Sequence, residues 1–505
     1  MSKVSMGKRA TLYFCLFTML VFSFLSACND KESAEAGPVV SPPSISILAP
    51  LHFPQQPSKE IMAEIERLTG VKLDIRWVPE GVYTDKMNTA LTTNSLGKVT
   101  FVKFSDYNLV KNAIRSDAFW EIGPYLQEFS NLKQLNPAIL KQTSVDSKIY
   151  GLYTERPSSR QGVIIRKDWL DNLHLNNPQT LDELYEVMRQ FTYNDPDQNG
   201  KQDTFGLVDR NDLVYGVFKT LSSYFGTPNN WKLENHQFVP EFVTAEYMNT
   251  MNFMKKLYDE KIINQDFALT SKEVQRDKFI NGIAGVFIGS MTDVKRLSIE
   301  AQNLNPKAEL TLINRIEGPE GYKVWSIPNY NGLYLFSKKA IATEDELREV
   351  LEFFDRTMDK DVANIMMYGF EGRHYKLEGG KIILPEETSE LRVQEVNPLY
   401  SLMIADISNK NIMEVAQKEQ LTSLADLLSK DNESFLVDDP TVSLSSSTYD
   451  EKNVELSTII VDATYNYILG NITAEGFQKE VEKWRASGGD LIIKEYGEAE
   501  LGIEK

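Results

Sequence analysis

Apolar and polar positions divide the chain into one unbroken apolar run, a polar stretch, and a long body in which two periods alternate. The run covers residues 10–27 and follows Lys3, Lys8 and Arg9. It is close to the lower limit for crossing a bilayer, roughly 17–25 residues, and basic residues ahead of such a run mark a secretory signal over 1–27. Residues 28–43 are polar, charged and Pro-bearing without periodicity, and predict a flexible leash. Order begins at Ser44, where Ile45 and Ile47 alternate with serines as in a strand. Over 58–69, Ile61, Met62, Ile65 and Leu68 share one helical face, and Gly70 is placed to end that helix. Val71, Leu73, Ile75 and Trp77 then alternate as a second strand. Strand, helix and strand in so short a span form a βαβ unit, which implies parallel pairing and an α/β fold class.

The same grammar recurs further on. Residues 161–166 predict a short buried strand, and Thr180 with Glu183 forms a capping box before Leu181, Leu184, Val187, Met188 and Phe191. Thr244 opens a helix carrying Tyr247, Met251, Met254 and Tyr258 on one side. Residues 285–289 predict another buried strand. Thr343 and Glu346 cap a helix with Leu347, Val350, Leu351 and Phe354. Phe477, Val481 and Trp484 give a last amphipathic helix, broken at Ser487-Gly488-Gly489. No internal repeat is visible, and the Ser-rich patch at 443–448 predicts a local loop.

Composition narrows the class. Apolar residues at 42 % and aromatics at 10 % of 505 residues predict a globular body. A chain of this length exceeds what one core usually supports, so two cores are expected. The formal net charge of −18 argues against nucleic acid and against adhesion to anionic lipid as partners. The two cysteines are Cys15, inside the apolar run, and Cys28, just after it. Removal of 1–27 leaves no thiol pair, so the body must hold together without a disulfide.

The sharpest local pattern outside the signal runs from Asp195 to Asp203. Oxygen-bearing side chains fall at positions 1, 3, 5 and 9 of the loop (Asp195, Asp197, Asn199, Asp203), with Gly200 at 6. Lys201, at position 7, would offer only its backbone carbonyl. Such spacing turns alternate oxygens toward one hard cation, and structural calcium is the expected cofactor. Gly206 stands at position 12, where a bidentate Glu would complete an EF-hand, and 204–208 predict a strand instead of a helix. The loop therefore predicts a staple, with an ordinary Asx/Gly turn as the alternative.

Leu25-Ser26-Ala27-Cys28 resembles the bacterial lipobox, which implies cleavage before Cys28 and acylation of its sulfur. Residues 164–170 (IIRKDWL), 178–184 (PQTLDEL) and 195–207 (DPDQNGKQDTFGL) run together as in extracellular solute-binding lipoproteins of ABC importers, family 1. The chain most resembles the carbohydrate-associated branch of the lipoprotein LplA, some of whose members carry such a calcium loop. Residues 225–231 (FGTPNNW), 256–267, 278–289 and 368–375 (YGFEGRHY) extend the resemblance. It departs at 94–101, where relatives have a Gly-Asp-x-Pro-Asp turn beside the cleft. The resemblance implies a two-lobed periplasmic-binding-protein-like α/β fold with discontinuous lobes, a hinge and an interlobe cleft. Lobe 1 is expected over 44–158 and 308–368, and lobe 2 over 159–307 and 369–505. It also implies a monomer, held by lipid (palmitate) on the extracellular face of the cell membrane, that captures a carbohydrate by lobe closure and delivers it to an ABC permease.

Sugars present flat C–H faces and many hydroxyls, so their sites combine aromatic platforms with planar polar partners. Trp231 and Trp325, both in loop-like stretches, and Trp77, at a strand end, are candidate cleft residues; packing is the alternative for each. Arg160, near the expected crossing between lobes, could fork onto hydroxyls or a uronate carboxylate, or form an interlobe salt bridge. Asp106 and Ser290 follow strand-like runs and are candidate ligand contacts. Residues 371–375 fit an interlobe loop. His52, His174, His236 and His374 share no ligand spacing, and no hydrolase elbow, phosphate loop or zinc motif appears. A binding protein without catalysis is therefore expected, against a lipid-tethered polysaccharide-processing enzyme or a surface sensing and adhesion lipoprotein.

Overall fold

A computed structural model describes residues 42–416 and 419–502. The expected signal at 1–27, Cys28 and almost all of the leash at 28–43 lie outside the described residues.

Two sheets organise the body. The first begins with β1 (Ser44–Leu51), β2 (Lys72–Pro79), β3 (Val99–Lys103) and β4 (Gly151–Glu155). β1 pairs in parallel with both β2 and β3. The predicted βαβ unit is present: Ser58 caps the helix Lys59–Thr69, and Gly70 ends it at φ +74°, a conformation that a Cβ would strain. The second sheet takes β5 (Gln161–Arg166), β6 (Phe205–Val208), β9 (Ala284–Ser290) and β10 (Leu310–Ile313) in the order β10-β5-β9-β6. Between β6 and β9 lies the hairpin of β7 (Trp231–Glu234) and β8 (Gln237–Pro240). Hairpin β11 (Glu317–Gly318) and β12 (Gly321–Tyr322) and short β13 (Val324–Trp325) lead back to β14 (Tyr330–Phe336). β14 enters the first sheet antiparallel between β3 and β4. A hairpin of β15 (Lys376–Glu378) and β16 (Lys381–Ile383) and two-residue β17 (Leu436–Val437), parallel to β13, complete the strands among the described residues.

Each sheet has its own core, which is why the chain reads as two lobes. Ile45, Ile47, Val99, Leu333 and Tyr334 of the first sheet meet Ile61, Ile65, Leu351 and Phe354 from the helices. Val163, Ile165 and Val286 of the second meet Trp169, Leu184, Phe191 and Met254. Gly285 allows this closeness, because a Cβ there would come within 2.2 Å of the Phe191 ring.

The lobe boundaries differ from those drawn on the sequence in two places. β10 lies inside 308–368, assigned to lobe 1, yet it pairs antiparallel with β5 of the second sheet. Val396, Leu399, Leu402 and Met403 lie inside 369–505, assigned to lobe 2, yet they are buried in the first core, where Tyr334 donates its hydroxyl to the Ser401 carbonyl. Both reassignments follow from long-range pairing that local periodicity does not encode. The chain thus crosses between lobes over 156–160, over 314–329 and again after Ala416, because Ile412 still packs on the first core whereas Leu421 packs on the second sheet. Beyond the last crossing, Leu456, Ile460, Phe477 and Trp484 pack on the second core. The predicted break at 487–489 interrupts the final helical run, with Gly488 at φ +141°.

Candidate functional site

A cavity of about 370 Å³ lies between the lobes, within the size range of small-ligand sites. The first lobe supplies its wall from the end of β3 and the helix Tyr107–Arg115: Phe104, Tyr107, Asn108 and Lys111. The crossing at 325–330 supplies Trp325, Pro328 and Tyr330. The second lobe supplies Val214, Tyr215, Lys219 and Asn230, then Tyr449, Asp450 and Asn453 from the helix Ser447–Ile468.

The first-lobe wall is fixed by packing. The Tyr330 ring meets Phe104 edge-on at 5.3 Å and Tyr107 at 6.3 Å. Tyr107 donates its hydroxyl to the Thr143 carbonyl at 2.6 Å, and burial pushes the phenols of Tyr107 and Tyr330 up. The two rings therefore form an apolar backing to this wall, almost wholly buried, and their polar tips are neutral phenols.

The opposite wall is a polar network. Lys219 donates to Asn230 Oδ1 at 2.9 Å and pairs with Glu241. Asn230 Nδ2 donates to Asp439 at 2.8 Å, and Thr441 donates to the same carboxylate from its backbone N–H and its hydroxyl. Burial nevertheless raises the Asp439 carboxyl, against those hydrogen bonds. Asn229 ties this wall to the crossing, donating to the carbonyls of Ser326 at 2.7 Å and Val437 at 3.0 Å. At the rim, Arg115 of the first lobe lies 3.8 Å from Asp450 and donates to Ser445 Oγ at 3.2 Å. Lys111 sits between these groups, its ammonium 5.8 Å from the Tyr107 ring centre. Burial lowers its pKa, while Asp450 acts in the other direction.

The structure brings one expected contact into this wall. Trp325 lines the cavity, donates its indole N–H to Thr220 Oγ1 at 3.0 Å and meets the Tyr215 ring at 5.9 Å. Arg160 lies on the crossing, and its backbone carbonyl accepts from the Met291 N–H at 2.8 Å. No salt bridge of Arg160 is formed among the described residues, contrary to the interlobe-pair alternative.

The remaining expected contacts lie elsewhere. Trp231 opens β7 and packs against Phe238, Trp484 and Tyr496 in the second core, because the Asn229-Asn230 turn folds it inward. Trp77 lies in β2 opposite Ala49 and packs half-buried on the first core. Asp106 follows the wall residue Ser105 but already accepts from Thr84 Oγ1 at 2.7 Å and from Ser105 Oγ at 3.0 Å. Ser290 ends β9 opposite Gln161, its hydroxyl paired with Thr292 at 2.8 Å. Sequence reasoning missed Phe104, Tyr107, Tyr330, Tyr215 and Tyr449. For the first two a signal existed, since ligands of open α/β sheets gather beyond the carboxyl ends of strands.

The Asp-rich loop leaves the helix Leu181–Tyr193 with Asp195 and Gln198 at positive φ and Gly200 at φ +79°. Asp195 accepts from the backbone N–H groups of Asn199 and Gly200, both at 3.0 Å. Asn199 Nδ2 donates to Asp197 at 2.7 Å and to Asp203 at 3.2 Å. Burial and the neighbouring Asp195 push the Asp197 carboxyl up. The loop thus holds Asp197 and Asp203 on the Asn199 side-chain amide and Asp195 on backbone N–H groups. Among the described residues, no group of three or more His, Cys, Asp and Glu is arranged as a metal site.

Comparison with known proteins places this architecture. Residues 54–341 match the family described as bacterial extracellular solute-binding protein. The polygalacturonan/rhamnogalacturonan-binding protein YtcQ of Bacillus subtilis (strain 168) is 44 % identical over 98 % of this chain and 99 % of its own. Lipoprotein LipO of the same organism is 33 % identical over 94 % of this chain and 96 % of its own. A solved HMO-binding, ABC-transporter-associated solute-binding protein from Bifidobacterium longum infantis superposes with a TM-score of 0.73 at 17 % identity, covering 92 % of this chain and 100 % of that one. With two lobes facing one cavity, and with a relative this similar along nearly its whole length, the chain belongs to the bacterial extracellular solute-binding proteins.

Proposed function

We propose that this protein captures an oligosaccharide between its lobes and hands it to an ABC permease, tethered meanwhile by lipid on Cys28. The observation that carries the reading is the interlobe cavity, lined by the aromatic side chains Phe104, Tyr107, Tyr215, Trp325 and Tyr330 together with a network of lysine, asparagine and carboxylate groups. Aromatic faces suit the C–H side of a sugar ring, and planar polar groups suit its hydroxyls. A ligand touching both walls stabilises the closed arrangement by its differential affinity for it. The similarity to YtcQ makes pectin-type chains the first ligands to try. Nothing in this arrangement requires catalysis: of the two wall carboxylates, Asp439 accepts from Asn230 and Thr441, and Asp450 faces Arg115.

Membrane attachment fits the same role. No helix among the described residues is long and apolar enough to cross a membrane, so the lipid would hold the body near its permease and raise its effective concentration there. Replacing Cys28 by Ala then releases the protein into the medium; retention on the membrane would refute the anchor.

Calcium is the proposed cofactor of the 195–203 loop. The donor set supports a hard cation by its chemistry and spacing: three carboxylates and an amide lie within one nine-residue loop, Asp197 and Asp203 share the Asn199 amide, and none of the three acids forms an ion pair among the described residues. Asp195, Asp197, Asn199 and Asp203 would hold the ion by their side chains, and Lys201 by its carbonyl. A bound cation would neutralise the crowded carboxylates and tie the helix end to β6. Chelation is expected to lower the melting temperature of the natural chain, and not that of an Asp195→Ala, Asp197→Ala variant. Equal melting with and without chelator would refute the staple.

The carbohydrate reading is tested by thermal shift against neutral and acidic oligosaccharides. A ligand at a hundredfold excess over its Kd adds about 2.7 kcal/mol of stability. No shift with any pectin-type or neutral oligosaccharide would refute the reading.

A further inference from the structure

Two arginines stand at the first crossing between the lobes with no acid to answer them. Arg156 follows β4, and Arg160 precedes β5. The Arg156 guanidinium lies 4.9 Å from the Phe104 ring centre and donates from Nε to the Pro328 carbonyl at 2.8 Å. Phe104 and Pro328 are both cavity-wall residues. Its Nη2 is buried without a hydrogen-bond partner, and so is Nε of Arg160. Neither side chain forms an ion pair among the described residues, although the arginines on either side do: Arg115 with Asp146, and Arg166 with Asp168.

The surroundings deepen the deficit. Burial is the main influence lowering the Arg156 pKa; the phenols of Tyr215, Tyr330 and Tyr400 oppose it, and Arg160 adds repulsion. Tyr400 is acted on by Asp406 and by both arginines, so the two guanidiniums and this phenol are neighbours of one buried carboxylate with which neither arginine forms an ion pair among the described residues. Burying a cation without a counter-charge is costly, and leaving its N–H groups unbonded adds to that cost. Two such cations on one crossing are retained at a price that an arriving anion would remove. A guanidinium fork matches the two oxygens of a carboxylate, and ordinary structural arginines would have been given an acid from the chain itself.

We infer that Arg156 and Arg160 are the carboxylate-reading element of the interlobe site, which makes uronate-bearing oligosaccharides its preferred ligands over neutral ones. The inference rests on the oligosaccharide reading and adds to it the charge of the ligand and the residues that sense it.

The test uses the natural protein, a short oligogalacturonate and the methyl ester of the same oligomer, titrated by calorimetry. The ester keeps every ring and loses only the charges. The natural chain is expected to bind the acid more tightly than the ester by about tenfold or more, a ratio that shrinks with added salt. Arg160→Gln is expected to collapse that ratio. Arg156→Lys, which keeps the charge and loses the fork, is expected to reduce it in part, and guards against a packing defect in either variant. Equal binding of acid and ester by the natural chain would overturn the inference and leave the oligosaccharide reading standing. So would a ratio that survives both substitutions. Absence of binding to either ligand would overturn this inference, and the oligosaccharide reading with it only if neutral oligosaccharides also fail to bind.

Discussion

The two walls of the cavity are built differently. On the first lobe, Tyr107 and Tyr330 are 5 % and 2 % exposed, locked edge-to-face above the end of a sheet. On the second, Tyr215 and Val214 are each 46 % exposed, on a segment between β6 and the helix Val217–Tyr224. The segment is held at its base by polar bonds: Asp209 accepts from the N–H groups of Arg210 and Val217, and Asp212 accepts from those of Val214 and Tyr215. One wall is therefore a platform that core packing fixes, and the other a jaw that hydrogen bonds position. Platforms resist change through apolar burial, whereas hydrogen-bonded jaws move at lower cost.

Breaking the joint between the walls should have the largest effect. Trp325 is 3 % exposed and hydrogen-bonded to Thr220, so Trp325→Ala should cost about 3–5 kcal/mol in denaturant unfolding and abolish ligand binding. A loss confined to binding would show that Trp325 is a surface contact only.

The base of the jaw gives a pH signature. Burial raises the Asp209 carboxyl from 3.8 to about 7, so the folded state holds its proton more tightly than the unfolded chain. The stability this group contributes is full below the unfolded value and is lost as pH rises through that window, levelling off above the folded value. The slope is on the order of 1 kcal/mol per pH unit. Asp209→Asn should flatten that fall in melting experiments from acid to neutral pH; an unchanged profile would place the titration elsewhere.

A smaller effect should separate jaw from platform. Tyr215→Ala should leave stability within about 0.5 kcal/mol, while costing about 1–2 kcal/mol of ligand affinity by calorimetry. The smallest effect belongs to the rim, where Arg115 and Asp450 join the lobes at 3.8 Å. The pair is partly buried, and burial raises the Asp450 carboxyl against the pull of Arg115, so the two effects offset and Asp450→Asn should change stability by no more than about 1 kcal/mol. It should nonetheless expand the ligand-free protein in small-angle scattering; unchanged dimensions would show that the pair does not hold the lobes.

What the sequence disclosed follows from the range of each signal. The strand at 161–166, the capping boxes at Thr180 and Thr343 and the glycine break at 487–489 are local, and the structure contains each of them. The family resemblance carried the two-lobed fold. Membership of β10 in the second sheet and of Leu399 in the first core depends on pairing across distant segments, so periodicity was silent about both. The cavity was harder still. Tyr107, Tyr215, Tyr330 and Tyr449 come from four separated segments, and nothing local distinguishes them from other tyrosines. Trp231 misled because an Asn-Asn turn looks exposed, yet the turn feeds the indole into a cluster of aromatic rings.

The most direct test is amide hydrogen exchange of the natural protein, with and without a saturating short oligogalacturonate. A ligand bridging both walls predicts slowed exchange in the helix Tyr107–Arg115 of one lobe and, at the same ligand concentration, in the 209–216 segment of the other. Protection confined to one lobe, or to neither, would contradict capture between them.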